Sequence, residues 1–294
     1  MAQTNPLSSV APKNLIPAKG KSHRAPGYAI LQLMETSLIE ITIGDSLIRI
    51  ATTIRKNATA STWLVFLHGL QSNREMFDGF SQDGRFNPFS ILSIDLIGFG
   101  ESDKPESFSY DLWDQAKVVA QVASQLNIGH MFLIGHSLGG MVATIALRKN
   151  DSRIIGIVSM EGNLAGPDCG KSAEVAALSF NEFQKQYPLF IDEISKEPKS
   201  GSARSNWMRQ IPDFVFYKSS KSIVDWAKSG EIASAFASHS VPRSLIKGAK
   251  SSFKSKAPDG VFVYEIAGAG HFMVLDAPDE TMTAVLRFLE TSNP

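Results

Sequence analysis

The sequence predicts an α/β fold, a mostly parallel eight-stranded sheet flanked by helices, on three observations. Short continuous apolar runs occur at Trp63–Leu67, Ile91–Leu96, Met131–Ile134 and Ile154–Met160, the pattern of strands buried on both faces. Segments of helical periodicity alternate with them, as a parallel sheet with helical crossovers requires. The rhythm then breaks between Gly162 and Ser240, which reads as mostly helical with Pro188, Pro198 and Pro212 as punctuation. Strand patterns return at Ser244–Ile246 and Val261–Ile266, and a helix over Asp279–Glu290 follows.

Residues 1–34 contain no acid, four Lys or Arg and four prolines. They lack the apolar core of a secretory signal, and the prolines oppose an amphipathic targeting helix, so a loose N-terminal arm is expected. Leu38–Ile43 and Leu47–Ile54, joined by Gly44-Asp45-Ser46, read as an antiparallel hairpin. Val118, Val119, Val122, Ala123 and Leu126 form one apolar helix face, with Ser109 and Asp111 as candidate caps. Leu138, Met141, Val142, Ile145 and Ala146 form another. The expected organisation is an arm at 1–34, a core at 35–161 and 241–294, and a helical cap at 162–240. An insertion between late strands of a parallel sheet overlies the C-terminal edge, where such sheets bind ligands.

Lys+Arg and Asp+Glu both total 29, so no net charge draws the chain to nucleic acid or an anionic membrane. No apolar run reaches the roughly 18–20 residues of a membrane span. The one cysteine, Cys169, excludes an intramolecular disulfide and argues against a Cys-based metal site. That usage fits a cytoplasmic protein, and equally a disulfide-free secreted one. A small-molecule substrate is expected, with no cofactor and no metal.

Gly135-His136-Ser137-Leu138-Gly139 follows the run MFLI and opens a helical segment. This is the G-x-S-x-G nucleophile elbow in the strand–turn–helix context that it needs. The serine sits on a tight, strained turn, so its neighbours must lack bulk, and its hydroxyl projects at the positive end of a helix. Chance alone yields about 0.1 such motifs in a chain of this length, with Gly and Ser each near 7%.

With this elbow, Leu67-His68-Gly69-Leu70, the stretch Asp95 to Asp103 (DLIGFGESD) and Gly268-Ala269-Gly270-His271-Phe272, the chain resembles the α/β-hydrolase superfamily over Trp63–Leu164 and Pro242–Leu289. The resemblance implies oxyanion donors at the backbone N–H of Leu70 and Leu138. It implies a loop-organising His68, and Asp95 and Ser102 as turn-stabilising groups.

Among six histidines, His271 is the candidate base, because it follows the last strand on a loop that can carry an imidazole to the serine. His23 lies in the arm, His130 starts a strand, His239 ends the cap, and His136 is expected to point away from Ser137. The acid departs from the family pattern. The chain reads Ile246-Lys247-Gly248-Ala249-Lys250-Ser251, so Ser251 stands where the family places its aspartate, and no acid occurs between Glu231 and Asp259. Glu161, at the tip of Ile154–Met160, is the expected replacement, as in branches of the superfamily that carry the acid there. Asp259, the rival, lies at the wrong end of its strand. The acid need only accept a hydrogen bond from imidazole Nδ1–H and stabilise the imidazolium.

A serine at the elbow, rather than an aspartate, disfavours the dehalogenase and epoxide-hydrolase branches. The expected function is cleavage of small carboxylic esters through an acyl-enzyme on Ser137. Lactone, thioester or C–C bond hydrolysis, perhydrolysis, and ligand binding by a hydrolase-like receptor are the alternatives. Aromatics of the cap, among them Phe180, Phe183, Tyr187, Phe190, Trp207, Phe214, Phe216, Tyr217, Trp226 and Phe236, are expected to divide between its own core and an apolar pocket. Lys171, Arg204 and Arg209 are expected to be solvated surface charges, the other reading being that they bind a substrate carboxylate.

Overall fold

The computed structural model describes residues 34–292 and the backbone of Asn14–Ile16. Nine strands form one sheet: β1 (Asn14–Ile16), β2 (Met34–Ile43), β3 (Ser46–Arg55), β4 (Thr62–Leu67), β5 (Ser90–Ile94), β6 (His130–His136), β7 (Ile154–Met160), β8 (Arg243–Gly248) and β9 (Phe262–Ile266). Their order is β1-β9-β8-β7-β6-β4-β5-β3-β2. The β2–β3 and β3–β5 pairings are antiparallel and all others parallel. Strands β2 to β9 are the eight expected. β1 falls within the segment expected to be a loose arm and pairs with β9; the rest of that arm, 1–13 and 17–33, lies outside the described residues.

The helices are α1 (Asp78–Gln82), α2 (Leu112–Gln125), α3 (Leu138–Leu147), α4 (Gly170–Ala176), α5 (Phe180–Ser195), α6 (Gly201–Met208), α7 (Asp213–Ser229), α8 (Glu231–Ser238), α9 (Met273–Asp276) and α10 (Pro278–Ser292). The apolar strand runs are continuous because alternate side chains enter two cores. Leu67 and Leu133 face the core shared with α2 and α3, whereas Phe66 and Ile134 face the one shared with α1 and α10. Asp111 caps α2, accepting the Trp113 N–H at 2.8 Å.

Two boundaries differ from expectation. β5 ends at Ile94 rather than Leu96, because Asp95 starts a turn that its own carboxylate closes. It accepts the N–H groups of Arg74 (2.7 Å) and Glu101 (2.9 Å) and pairs with the buried Arg74 guanidinium. Helix α5 runs through Pro188 instead of breaking there. Proline removes one helical hydrogen bond, but a Ser179–Glu182 capping box starts this helix and Phe183, Tyr187, Ile191 and Ile194 bury one face. Among the described residues no helix is long and apolar enough to cross a membrane.

Truncating Asp95 leaves the buried Arg74 guanidinium with Glu101 as its one remaining ion-pair partner among the described residues and strands two N–H groups. Asp95→Ala should therefore lose about 3–5 kcal/mol of unfolding free energy, read as a lower urea midpoint at unchanged slope. A loss below about 1 kcal/mol, the scale of a surface ion pair, would show that this turn is not a stability element.

Candidate active site

Ser137 occupies the turn between β6 and α3 with φ 52° and ψ −117°, a conformation that strains any residue carrying a Cβ. Its N–H is fixed to the Met160 carbonyl at 2.8 Å. The flanking glycines are required by contact. A Cβ on Gly135 would lie 2.2 Å from the Gly139 oxygen, and one on Gly139 would lie 2.1 Å from the Leu67 oxygen. The Ser137 hydroxyl has no hydrogen-bond partner among the described residues.

His68 organises the loop after β4, as the resemblance implies. Its Nδ1–H donates to the Gly69 carbonyl (2.8 Å) and its Nε2 accepts the Leu96 N–H (3.1 Å), while burial lowers its pKa and keeps it neutral. The loop presents Leu70. Neither the Leu70 N–H nor the Leu138 N–H, at the start of α3, has an acceptor among the described residues.

His271 follows β9 and directs Nδ1 at Glu161 Oε2, 2.6 Å away. A carboxylate only accepts, so Nδ1 carries a proton, and in the neutral imidazole the lone pair is then on Nε2. Nε2 makes no hydrogen bond to a described residue and shares a cleft with the Ser137 hydroxyl. Glu161 itself is fully buried at the end of β7 with φ 50°. It also accepts the Gly248 N–H (2.8 Å) and the Ser251 Oγ–H (2.7 Å). Ser251, standing where the resemblance places an aspartate, thus hydrogen-bonds the Glu161 carboxylate. Asp259 is exposed in the turn before β9, at the opposite end of the sheet.

His136 has a role that the sequence reading missed. Its Nε2–H donates to the His271 carbonyl at 2.8 Å and its ring lies 4.9 Å from that of His271. Burial first, and then the neighbouring His271, holds its pKa well below the ordinary value, so it is neutral.

The cleft measures about 580 Å3 and is lined by Ser137, His271, Leu70 and His136 together with Lys171, Arg204 and Asp276. This corrects the expected apolar pocket, since none of the ten inserted aromatics lines it. Phe183, Tyr187 and Phe216 pack on one another in the core of the insertion. Trp226 Nε1–H binds Asp111 at 3.1 Å and Trp207 Nε1–H binds Glu75 at 3.0 Å. Arg204, expected as a solvated charge, is 4% exposed. Lys171 and Arg209 do sit in exposed pairs, with Glu174 and Asp192. No group of three or more His, Cys, Asp or Glu arranged to hold a metal occurs among the described residues.

The family description "alpha/beta hydrolase fold" matches residues 62–207. The chain has the α/β-hydrolase fold. A putative esterase/lipase of Haemophilus influenzae is 28% identical to this α/β hydrolase over 249 residues, 77% of this chain and 82% of its own. Two solved structures share the fold. The N-acyl homoserine lactonase AidH with N-hexanoyl homoserine has a TM-score of 0.72 at 18% identity, over 89% of this chain and 98% of its own. A thermophilic esterase from Thermogutta terrifontis with malate bound has a TM-score of 0.70 at 18% identity, over 88% and 100%.

The neutral His136 of this α/β hydrolase makes a pH prediction. Its folded pKa lies below the unfolded value of about 6.5, so below that pH the unfolded chain binds more protons. Stability is complete above pH ~6.5 and falls on acidification by up to about 1.4 kcal/mol per pH unit for this group. His136→Gln, whose amide can still donate to the His271 carbonyl, should show a slope shallower by up to one proton between pH ~6.5 and ~5 in urea unfolding. Equal slopes would mean that His136 is not held neutral.

Proposed function

We propose that this α/β hydrolase is a serine esterase that cleaves small carboxylic esters through an acyl-enzyme on Ser137. The observation that carries the proposal is the 2.6 Å contact between His271 Nδ1 and the buried Glu161 carboxylate. It leaves Nε2 as a lone-pair base in the cleft that holds the uncommitted Ser137 hydroxyl.

In the proposed mechanism Ser137 Oγ attacks the ester carbonyl carbon while His271 Nε2 takes its proton, and Glu161 stabilises the imidazolium. The Leu70 and Leu138 N–H groups donate to the oxyanion of the tetrahedral intermediate, a contribution typically worth about 3–4 kcal/mol per donor. Collapse breaks the ester C–O bond, and Nε2–H protonates the departing alkoxide. Water then attacks the acyl-enzyme by the same steps, releasing the acid and restoring Ser137. The mechanism uses no cofactor.

Residues 162–240 act in this reading as a cap over the C-terminal edge of the sheet, and the charged cleft favours short, polar acyl groups over long alkyl chains. The name of the Haemophilus influenzae relative supports ester substrates. Lactones, which are cyclic esters, follow the same chemistry, and a lactonase shares the fold. The single thiol, Cys169, is buried and free, in keeping with a cytoplasmic setting.

A fluorophosphonate probe should add one equivalent of mass to the peptide containing Ser137, and wild-type enzyme should turn over 4-nitrophenyl acetate with linear steady-state kinetics. Ser137→Ala should be unlabelled and reduced by a factor on the order of 10³ or more in kcat. Labelling of the alanine variant would locate the nucleophile elsewhere. A single acylation without turnover would favour the receptor reading.

A further inference from the structure

Arg204 lies on α6 with its guanidinium over the ring of Phe272, 3.9 Å from the centroid. Of its five N–H groups, Nε and one on Nη2 reach Gln71 Oε1, and one on Nη1 reaches the Glu197 carboxylate. The remaining two have no acceptor among the described residues, although the side chain is buried and lines the cleft. Burial lowers the pKa of Arg204, and Glu197 and then Asp276 offset it only in part. Arg204 also adjoins both sides of the proposed machinery, since Gln71 follows Leu70 and Phe272 follows His271.

The acids of the cleft wall leave two N–H groups of this cation without an acceptor among the described residues. Asp168 is taken up by the N–H groups of Leu164, Ala165, Lys254 and Ser255 and by the Ser255 hydroxyl. Asp276 accepts the Gly270 N–H at 2.9 Å. Glu197 is 48% exposed and pairs with Arg204 through one nitrogen. Lys199 and Lys250 also line the cleft and form no ion pair among the described residues. Two free guanidinium N–H groups fit one carboxylate.

We infer that the substrate is an ester bearing a second, anionic group, a carboxylate, and that Arg204 binds it. The inference rests on the esterase reading and adds the substrate class. The carboxylate belongs to either the acyl or the alcohol half of the ester, and paired substrates separate the two. Mono-4-nitrophenyl succinate against methyl 4-nitrophenyl succinate places the charge on the acyl side; 4-acetoxybenzoate against its methyl ester places it on the alcohol side.

Wild-type enzyme should prefer the charged member of one pair by about 10–100-fold in kcat/KM, the worth of one charge-assisted hydrogen bond. Arg204→Met should reduce that ratio by about tenfold or more, chiefly through KM. Glu197→Gln, at an exposed position, should raise it, because it removes the competing carboxylate; mere structural damage would not have that sign. Equal rates within both pairs, or a preference that Arg204→Met leaves unchanged, would overturn the inference. Titration calorimetry with glutarate gives a readout that does not depend on turnover. If no ester is hydrolysed the esterase reading fails, and the anion site then stands on glutarate binding that Arg204→Met abolishes and falls if wild-type enzyme binds none.

Discussion

The Glu161 carboxylate sits out of water at the end of β7, where an uncompensated charge costs several kcal/mol, and three donors from three segments stabilise it. The Gly248 N–H closes the end of β8, the Ser251 hydroxyl fixes the loop after it, and His271 Nδ1–H anchors the loop after β9. These segments meet because β7, β8 and β9 are parallel and in register, with Met160 opposite Ile246 and Ile246 opposite Tyr264. Satisfying one buried charge therefore orients the imidazole, fixes its tautomer and closes the C-terminal edge of the sheet. His136 adds a fourth tie through the His271 carbonyl. The loop that carries the proposed base is held at its backbone by one histidine and at its ring by one carboxylate.

The inserted helices follow a different rule. Most of their aromatic residues pack on one another and on the core shared with α2 and α3, so the apolar side of the insertion is continuous with the core of the sheet. What it offers the cleft is polar. Gln71 and Arg204 bridge the loop after β4 to α6, joining the segment that carries Leu70 to the lobe above it.

Much of this was legible in the sequence, for identifiable physical reasons. Buried parallel strands must be apolar on both faces, so β4 to β7 announced themselves. The glycines around Ser137 are required by contacts near 2 Å, which makes the elbow a local signal. The contact of Glu161 with His271 could be anticipated because Ser251 stands where an acid was expected and the tip of β7 carries a carboxylate. The lining of the cleft was not legible. An amphipathic helix that buries aromatics in its own lobe has the same composition as one that lines a pocket, and Arg204 has the same letter whether solvated or buried. Pro188 misled because proline ends helices by local rules, whereas a capping box and a buried face hold α5 together across it. The contact between His136 and His271 spans 135 positions, beyond any local pattern.

The most direct test of this account is whether a carboxylate facing His271 Nδ1 is what matters, wherever it comes from. Glu161→Gln places an amide against the imidazole, and kcat should fall by about 10³–10⁴ in the folded enzyme. Because Ser251 Oγ lies 2.7 Å from the same carboxylate oxygen, the double variant Glu161→Gln with Ser251→Asp puts an acid within reach of that nitrogen. The account predicts that the double variant recovers at least tenfold of the lost kcat on 4-nitrophenyl acetate, on the scale that a correctly held imidazole is worth. A folded Glu161→Gln enzyme with nearly full activity would contradict it.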